Sequence, residues 1–166
     1  MSGELPKQAR ADAVRSANDV LDERLRAIAA AIPAELLHAD PGNGEWTLAE
    51  NLAHVAEFAG FFAADLDAQL NDEGATVGRT HEHPDRNAAI ALARGQSLED
   101  LRSALEHGLC TLAEQLGRLD DEHLDRLGHN RKYGPEPLHR FLDRYVLEHK
   151  ATHARQLEAT MHTVQR

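Results

Sequence analysis

The sequence predicts an all-α fold in which four long helices form a four-helix bundle. Residues that favour helices, chiefly Ala, Leu, Glu and Arg, abound, and aromatic residues make up only 4% of the chain. Long runs of Val, Ile and Thr, which would mark strands, are absent. Four segments instead repeat apolar residues at spacings of three and four, which is the period of an amphipathic helix. Helices of this kind bury their apolar faces by packing against one another.

The first predicted helix runs from about Gln8 to Ile32. Its apolar residues recur every three or four positions, at Val14, Ala17, Leu21, Leu25 and Ile28. Pro33 ends this pattern, because proline has no N–H for the helical ladder. A loop rich in turn residues, 40–44, then leads to the next helix.

The second predicted helix opens with a capping box. Thr47 is a favourable N-cap, and Glu50, three residues later, can bond back to the cap. Trp46 precedes the cap, where it can pack on the first turns as a hydrophobic staple. The apolar stripe that follows consists of Leu48, Leu52, Val55, Ala59, Phe62, Leu66 and Leu70. His54 lies about 100° to one side of this stripe, and a polar loop over 71–83 follows the helix.

Two further long helices complete the predicted bundle. A short helix from Pro84 to Arg94 precedes the third long helix, which has Ser97 as its cap and leucines at heptad-like spacing up to Leu119. Gly108 falls inside this helix and should weaken it slightly. Residues 120–137 are rich in glycine and proline and are predicted to be mostly loop. The fourth helix is predicted over about 136–162.

Composition limits the class of protein. The 166 residues suffice for one domain, which we predict to span 1–166. A single cysteine rules out a disulfide framework within the chain and is compatible with a reducing cytoplasm. The net charge of −10 disfavours a general nucleic-acid binder, which needs a basic face. No secretory signal or apolar run of roughly 18 residues is seen, so we predict a cytoplasmic protein without a membrane span.

A histidine pair in the fourth predicted helix is the strongest functional signal. His149 and His153 are four residues apart and therefore share one face, about one turn from each other. That face also carries residues that should point into the bundle, namely Leu138, Leu142, Tyr145, Gln156 and Thr160. Imidazoles on a core-facing stripe need a partner, because unpaired buried polar groups are costly.

A third histidine completes a candidate metal site. His54 is the histidine of the second helix that can face the bundle, and bundles hold metals between facing helices. His54, His149 and His153 together would leave a coordination position open for water or substrate. Three imidazoles favour zinc, nickel or iron over manganese. A histidine pair can also arise by chance in a chain with eleven histidines, in which case the pair is merely packed.

Other polar residues have weaker claims to function. Glu57 and Tyr145 lie one turn from the candidate ligands and can be either pocket groups or ordinary surface and core residues. Cys110 is predicted to be a small residue at the core edge rather than a nucleophile. The segment His81-Glu82-His83 either binds metals adventitiously or has no role. Four basic loop residues either flank the site or are plain surface charge: Arg79, Arg86, Arg131 and Lys132. Surface or loop positions are predicted for His107, His123, His129, His139 and His162.

Two motifs connect the chain to a known family. The segment from Trp46 to Val55 resembles the pattern W-[ST]-x-x-E-x-x-x-H-[LV], which opens the second helix of the DinB/YfiT-like superfamily. The segment from His149 to Leu157 resembles the H-x-x-x-H-x-x-Q-L pattern of its last helix. Each motif is loose alone, and the two at this separation are fairly specific. The resemblance implies a four-helix bundle with a divalent metal held by three histidines, here His54, His149 and His153.

The resemblance also implies an activity. Characterised members of the superfamily include transferases and isomerases that use mycothiol or bacillithiol, in which the metal activates a low-molecular-weight thiol as a thiolate. Other relatives are hydrolases. The sequence is therefore interpreted first as a metal-dependent thiol S-transferase that acts on small electrophiles.

Three alternatives stay open: a metal-dependent hydrolase, a non-enzymatic metal-binding or stress-response bundle, and a plain bundle with packed histidines. The predicted cofactors are one divalent metal ion, zinc or nickel first and iron next, and a low-molecular-weight thiol. The predicted partners are a small-molecule substrate and a second copy of the chain, because symmetric dimers are the commonest assembly. No residue is assigned as catalytic or as binding the thiol.

Overall fold

Four long helices pack together in the computed structural model, which describes residues 8–166. The predicted four-helix bundle is thereby confirmed. The first three long helices are α1 (Ala9–Ala31), α2 (Leu48–Asn71) and α4 (Leu98–Leu116). The fourth consists of α6 (Leu138–Phe141), a π-helical segment (Leu142–Glu148) and α7 (His149–Val164). Among the described helices, none combines the length and the apolar character needed to cross a bilayer.

Helix α2 is the most buried of the long helices and begins as predicted. Thr47 accepts a hydrogen bond from the backbone N–H of Glu50, and the Glu50 carboxylate accepts one from the backbone N–H of Thr47. These two bonds satisfy N–H groups that the first turn of a helix leaves free. The capping box therefore fixes where α2 starts, and with it the direction in which His54 points two turns later.

A glycine allows α2 and α4 to approach closely. A Cβ atom at Gly108 would lie only 2.6 Å from the backbone oxygen of Ala56. Since any larger residue would collide with backbone, Gly108 is needed at the contact between the two helices. Its cost in helix propensity, noted from the sequence, is about 1 kcal/mol, and the close packing offsets that cost.

A small sheet replaces part of the two predicted loops. Its strands are β1 (Thr76–Val77), β2 (Leu127–Asn130) and β3 (Gly134–Pro137), with β1 parallel to β2 and β2 antiparallel to β3. The interpretation of 71–83 and 120–137 as loop was therefore partly wrong. These strands are too short and too rich in glycine and proline to show a period of two. Their pairing anchors the segment that follows β1 at the end of the bundle.

Short helices accompany the four long ones. The predicted short helix after Pro84 is present as α3 (Pro84–Leu92), followed by a 3₁₀ turn, Ala93–Gly95. A further short helix, α5 (Asp121–Asp125), lies within the predicted loop. Helix α3 packs against α2 and brings residues of the 79–86 segment over one end of the bundle.

The fourth long helix begins two residues later than predicted and is not uniformly α-helical. Residues Leu142–Glu148 form a π-helical segment directly before His149. Such segments are uncommon and frequently occur at functional sites. The wider turn shifts the phase of the helix, so the faces before and after it are not related by simple α-helical spacing.

A buried polar network joins α1 to α7. The Lys150 side chain is fully buried, and its ammonium donates to the Asn18 side-chain oxygen at 2.5 Å and to the Asp22 carboxylate. Asn18 in turn donates to the other Asp22 oxygen at 3.0 Å. Buried charges require such pairing because removing them from water is costly. The network fixes α7 against α1 one residue after His149.

Candidate metal centre

The three predicted histidines meet between α2 and α7. Each offers a ring nitrogen, and these nitrogen atoms all lie within 4.8 Å of one another. The Nε2 atoms of His54 and His149 are 3.4 Å apart. Their convergence follows from the capping box, which orients α2, and from the one-turn spacing of the pair on α7. That the cluster binds a metal stays a prediction.

Aromatic rings surround the cluster. The Phe58 ring stacks on His149 with centroids 4.2 Å apart and an interplanar angle of 8°. Trp46 contacts His54 edge-on at 5.2 Å and stacks on His153 at 6.3 Å. These rings limit the rotation of the imidazoles and exclude water from their far sides. The indole of Trp46, predicted as a staple, therefore also forms part of the site.

Burial keeps the three imidazoles neutral. It lowers the pKa of His54 to about 2, that of His149 to about 3 and that of His153 to about 4. The positive charge of Arg86 acts in the same direction on all three. A neutral imidazole has a free lone pair, so each side chain is ready to act as a ligand at neutral pH.

The donor set fits a divalent transition metal. Two nitrogens bound at about 2.05 Å to a tetrahedral zinc ion would be about 3.3 Å apart, close to the separation of the His54 and His149 Nε2 atoms. The Nδ1 atoms of His54 and His153 are buried and have no hydrogen-bond partner among residues 8–166. With Nε2 as the ligating atom, each Nδ1 carries the ring proton and needs a hydrogen-bond acceptor rather than a metal. Gln156 lies close enough to His153 to interact with its ring. Imidazole donors suit zinc, nickel and iron.

A cavity of about 170 Å³ opens in front of the cluster. The histidines form one wall, and the segment after β1 together with α3 forms the opposite wall. The complete lining is His54, Phe62, Arg79, Thr80, His81, Arg86, Tyr145, His149 and His153. Thr80 and His81 are exposed, so the cavity reaches solvent on their side. A ligand entering there would meet the histidine nitrogens directly.

Two of the four basic residues considered from the sequence belong to the site. Arg79 is buried, makes a two-pronged ion pair with Glu57 and lies 4.0 Å over the ring of Phe61. Arg86 lines the cavity without a carboxylate partner among the described residues. Arg131 is exposed and donates to the Gly78 carbonyl at 2.9 Å, outside the cavity. Exposed Lys132 does not line it either.

Tyr145 lies in the cavity wall, and Asn130 holds its hydroxyl group in place. Its hydroxyl accepts a hydrogen bond from the side-chain N–H of Asn130 at 3.2 Å. Asn130 is buried and also donates to Glu136, while its oxygen accepts backbone N–H groups of 132 and 133. Sequence reasoning missed Asn130, because an asparagine between a glycine-rich strand and a turn looks like an ordinary turn residue.

The remaining histidines and the cysteine lie elsewhere. His107, His129 and His162 are exposed, as predicted, and His123 and His139 are half-buried outside the cavity. His81 lines the cavity, whereas His83 caps α3 and packs on Phe61. No further group of metal-ligating side chains occurs in the part of the chain that the structure describes. Cys110 is exposed and bonds to Glu106, so its prediction as a core-edge residue was wrong.

Comparisons with known proteins agree with this architecture. The DinB superfamily matches residues 18–157, and no curated protein matches the sequence. The structure is similar to YfiT from Bacillus subtilis, described as a probable metal-dependent hydrolase with an unusual four-helix bundle topology. That match has a TM-score of 0.76 at 14% identity and covers 99% of this chain and 93% of that one.

Two further solved structures have the same fold. An uncharacterised protein from Clostridium difficile 630 aligns with a TM-score of 0.70 at 14% identity, over 94% of this chain and 96% of that one. The mycothiol-dependent maleylpyruvate isomerase aligns with a TM-score of 0.66 at 15% identity. This alignment covers 96% of the present chain and 61% of the isomerase. The chain therefore spans less than two thirds of the isomerase's length.

Proposed function

The chain belongs to the DinB superfamily, and from that premise we propose that it is a metal-dependent enzyme that transfers a low-molecular-weight thiol to small electrophiles. One observation carries the proposal: three neutral imidazoles converge on one wall of a small cavity and leave its other side open. Catalytic metal sites have this form, with three protein ligands and a free position.

Each ligand has a defined task in this proposal. His54 holds the ion from α2, while His149 and His153 hold it from α7, so the ion would bridge the two helices. Once bound, a divalent ion supplies Lewis acidity that lowers the pKa of a coordinated thiol or water. The stacked ring of Phe58 keeps His149 in its ligating orientation. Residues that contact the ligands from outside help to orient them and tune the metal.

The cavity favours a small substrate. Pockets that bury drug-sized ligands usually measure about 300–1,000 Å³, and this one measures about 170 Å³. Phe62 and Tyr145 form its apolar side, which limits the water that can reach the reacting atoms. Arg79 and Arg86 form its polar side. The arrangement suits a compact molecule with one apolar and one polar end.

Hydrolysis is the second candidate. The similar YfiT protein is described as a probable metal-dependent hydrolase, and the maleylpyruvate isomerase is described as mycothiol-dependent. The same open position could activate water in one case and a thiol in the other. The dependence on mycothiol in a protein of the same fold is the reason for placing the thiol first.

Metal content tests the shared premise of both candidates. We expect about one equivalent of zinc or nickel in the wild type by elemental analysis after reconstitution and desalting. His54→Ala and His149→Ala should both lose it, because each removes one of three ligands. His107→Ala, on the exposed side of α4, is the matched control and should retain the metal. A wild type without metal after reconstitution with either ion would remove the basis of the proposal.

Activity measurements then separate the candidates. The metal-loaded and the chelated protein are incubated with a low-molecular-weight thiol and a panel of small electrophiles, and the loss of free thiol is followed. Thiol consumption that requires the metal supports the transferase. Metal-dependent ester or amide cleavage without thiol consumption supports the hydrolase instead. A melting temperature that falls on chelation, with no turnover at all, would support the non-enzymatic alternative.

A further inference from the structure

Arg79 and Arg86 share the cavity with the histidine cluster, but they differ in how they are paired. The guanidinium of Arg79 is neutralised by Glu57, which bonds it through both carboxylate oxygens. Arg86 has no carboxylate within ion-pairing distance among residues 8–166. Asp65, on the same helix as Glu57, accepts a hydrogen bond from the Gly78 backbone N–H at 2.8 Å instead. The positive charge of Arg86 is therefore not neutralised by a carboxylate of the described residues.

The position of Arg86 is nevertheless held. One terminal nitrogen, Nη1, donates to the His81 carbonyl at 2.9 Å and to the Asn87 side-chain oxygen at 3.1 Å. Its guanidinium lies 5.1 Å from the centre of the Trp46 ring. The donors on Nη2 and Nε have no partner in the described part of the protein. A guanidinium carries five N–H donors in a rigid fork, so part of that fork stays available to a ligand.

The surroundings of Arg86 disfavour its positive charge. Burial is the main cause that lowers the pKa of Arg86, and the nearby charge of Arg79 acts in the same direction, while Glu57 opposes them. The surroundings as a whole therefore disfavour the charge of Arg86. Arg86 also repels any metal ion that the three histidines bind. A side chain that only filled space would serve better without a charge. An anion bound in the cavity would relieve both repulsions at once.

We propose that Arg86 binds a carboxylate of the small molecule whose donor atom occupies the open position at the three histidines. This inference deepens the proposed function and rests on it, because it assigns the chemical class of the ligand. The ligand would be a compact acid with a carboxylate at one end and a thiol at the other. A carboxylate can accept two parallel hydrogen bonds from a guanidinium, and it is a smaller group than phosphate, the other anion that this fork matches. The small cavity limits the distance between the two ends.

The test compares two ligands that differ only in charge. 3-Mercaptopropionate and 3-mercaptopropionamide have the same thiol and chain length, and their dissociation constants for the zinc-loaded protein are measured by calorimetry. The wild type should prefer the acid. In Arg86→Gln this preference should fall by about tenfold or more, the range expected for hydrogen bonds to a charged group. The preference of Arg86→Lys for the acid should lie between those of the wild type and Arg86→Gln, because an ammonium lacks the paired donors of a guanidinium.

Arg94→Gln is the matched control. This arginine lies on the 3₁₀ turn after α3, is largely exposed and faces Glu50 at 3.6 Å, so its loss changes net charge equally without touching the cavity. It should keep the wild-type preference. A preference in Arg86→Gln within twofold of the wild type would overturn the inference, as would equal binding of both ligands by the wild type.

Failure of the inference and failure of the proposed function give different results. A protein that holds one equivalent of zinc but shows no effect of Arg86 contradicts only the carboxylate assignment. A wild type that holds no zinc contradicts both. Zinc content and melting temperature of each variant are measured in parallel, so that a loss of binding through misfolding is recognised. Arg86→Lys supplies the comparison where Arg86→Gln does not fold.

Discussion

Replacing Asp22 with leucine would leave the Lys150 ammonium buried without its charged partner. Lys150 is 0% exposed and Asp22 is 2% exposed, so water cannot replace the lost carboxylate. Burial already lowers the pKa of Lys150, and Asp22 is the main influence that opposes this shift. Among the described residues, Asn18 would then be the one side-chain acceptor left for the ammonium.

The expected size of the effect follows from this burial. Breaking a buried ion pair by removing one partner costs about 3–5 kcal/mol, because an uncompensated charge remains inside. In a domain of this length, 1 kcal/mol corresponds to a change of about 2–4 °C in melting temperature. Asp22→Leu should therefore melt roughly 6–20 °C below the wild type. Lys150→Met should be destabilised by a similar amount, because it leaves the carboxylate buried.

The double variant, Asp22→Leu with Lys150→Met, provides the decisive comparison. Replacing a buried ion pair by apolar side chains is often neutral or stabilising, so the double variant should be more stable than either single variant. Free energies of unfolding from urea titrations form a double-mutant cycle. If the two single effects simply add in the double variant, the reasoning about a paired buried charge is refuted. Asp22→Asn, which keeps an acceptor for Lys150, should be milder than Asp22→Leu.

Two further predictions concern the helix contact and the imidazoles. Gly108→Ala should destabilise the protein by about 1–3 kcal/mol despite its better helix propensity, since its Cβ meets the Ala56 oxygen at 2.6 Å. Gly60→Ala, whose Cβ has open space, is the thermal-denaturation control and should gain up to about 1 kcal/mol. Because the pKa values of the three site histidines lie near 2–4, below the ordinary 6.5, the unfolded chain binds more protons below pH 6.5. The metal-free protein should therefore lose stability as the pH falls from 6.5 towards 4, by up to about 1.4 kcal/mol per pH unit for each histidine. Urea titrations at several pH values should show that His149→Ala loses less stability than the wild type as the pH falls. An equal loss of stability in the two proteins would contradict the lowered pKa of His149.

Local patterns were sufficient to predict the histidine cluster. His149 and His153 are four residues apart on a helix, so their shared face follows from helix geometry alone. His54 follows from the capping box that sets the start of α2 and from its place beside the apolar stripe. Both inferences use contacts within one helix or between neighbouring bundle faces. The structure brings the three side chains together on that basis.

The far wall of the cavity was not predictable in the same way. Arg79 and Arg86 were two of four basic loop residues that the sequence treated alike. What separates them is the pairing of β1 with β2, which places Arg79 beside Glu57. Strands of two to four residues leave no periodic signal, so their pairing is decided by tertiary contacts.

The sequence by itself determined the bundle, the start of α2 and the three histidines that face one another. Helix periodicity, capping and one-turn spacing are local properties, so they can be recognised in a single sequence. Tertiary structure alone decided how these charges are paired: Lys150 with Asp22, Arg79 with Glu57, and half-buried Arg86 with no carboxylate among residues 8–166. Such pairings join residues far apart in the chain, and their energies depend on burial that arises only when the helices pack.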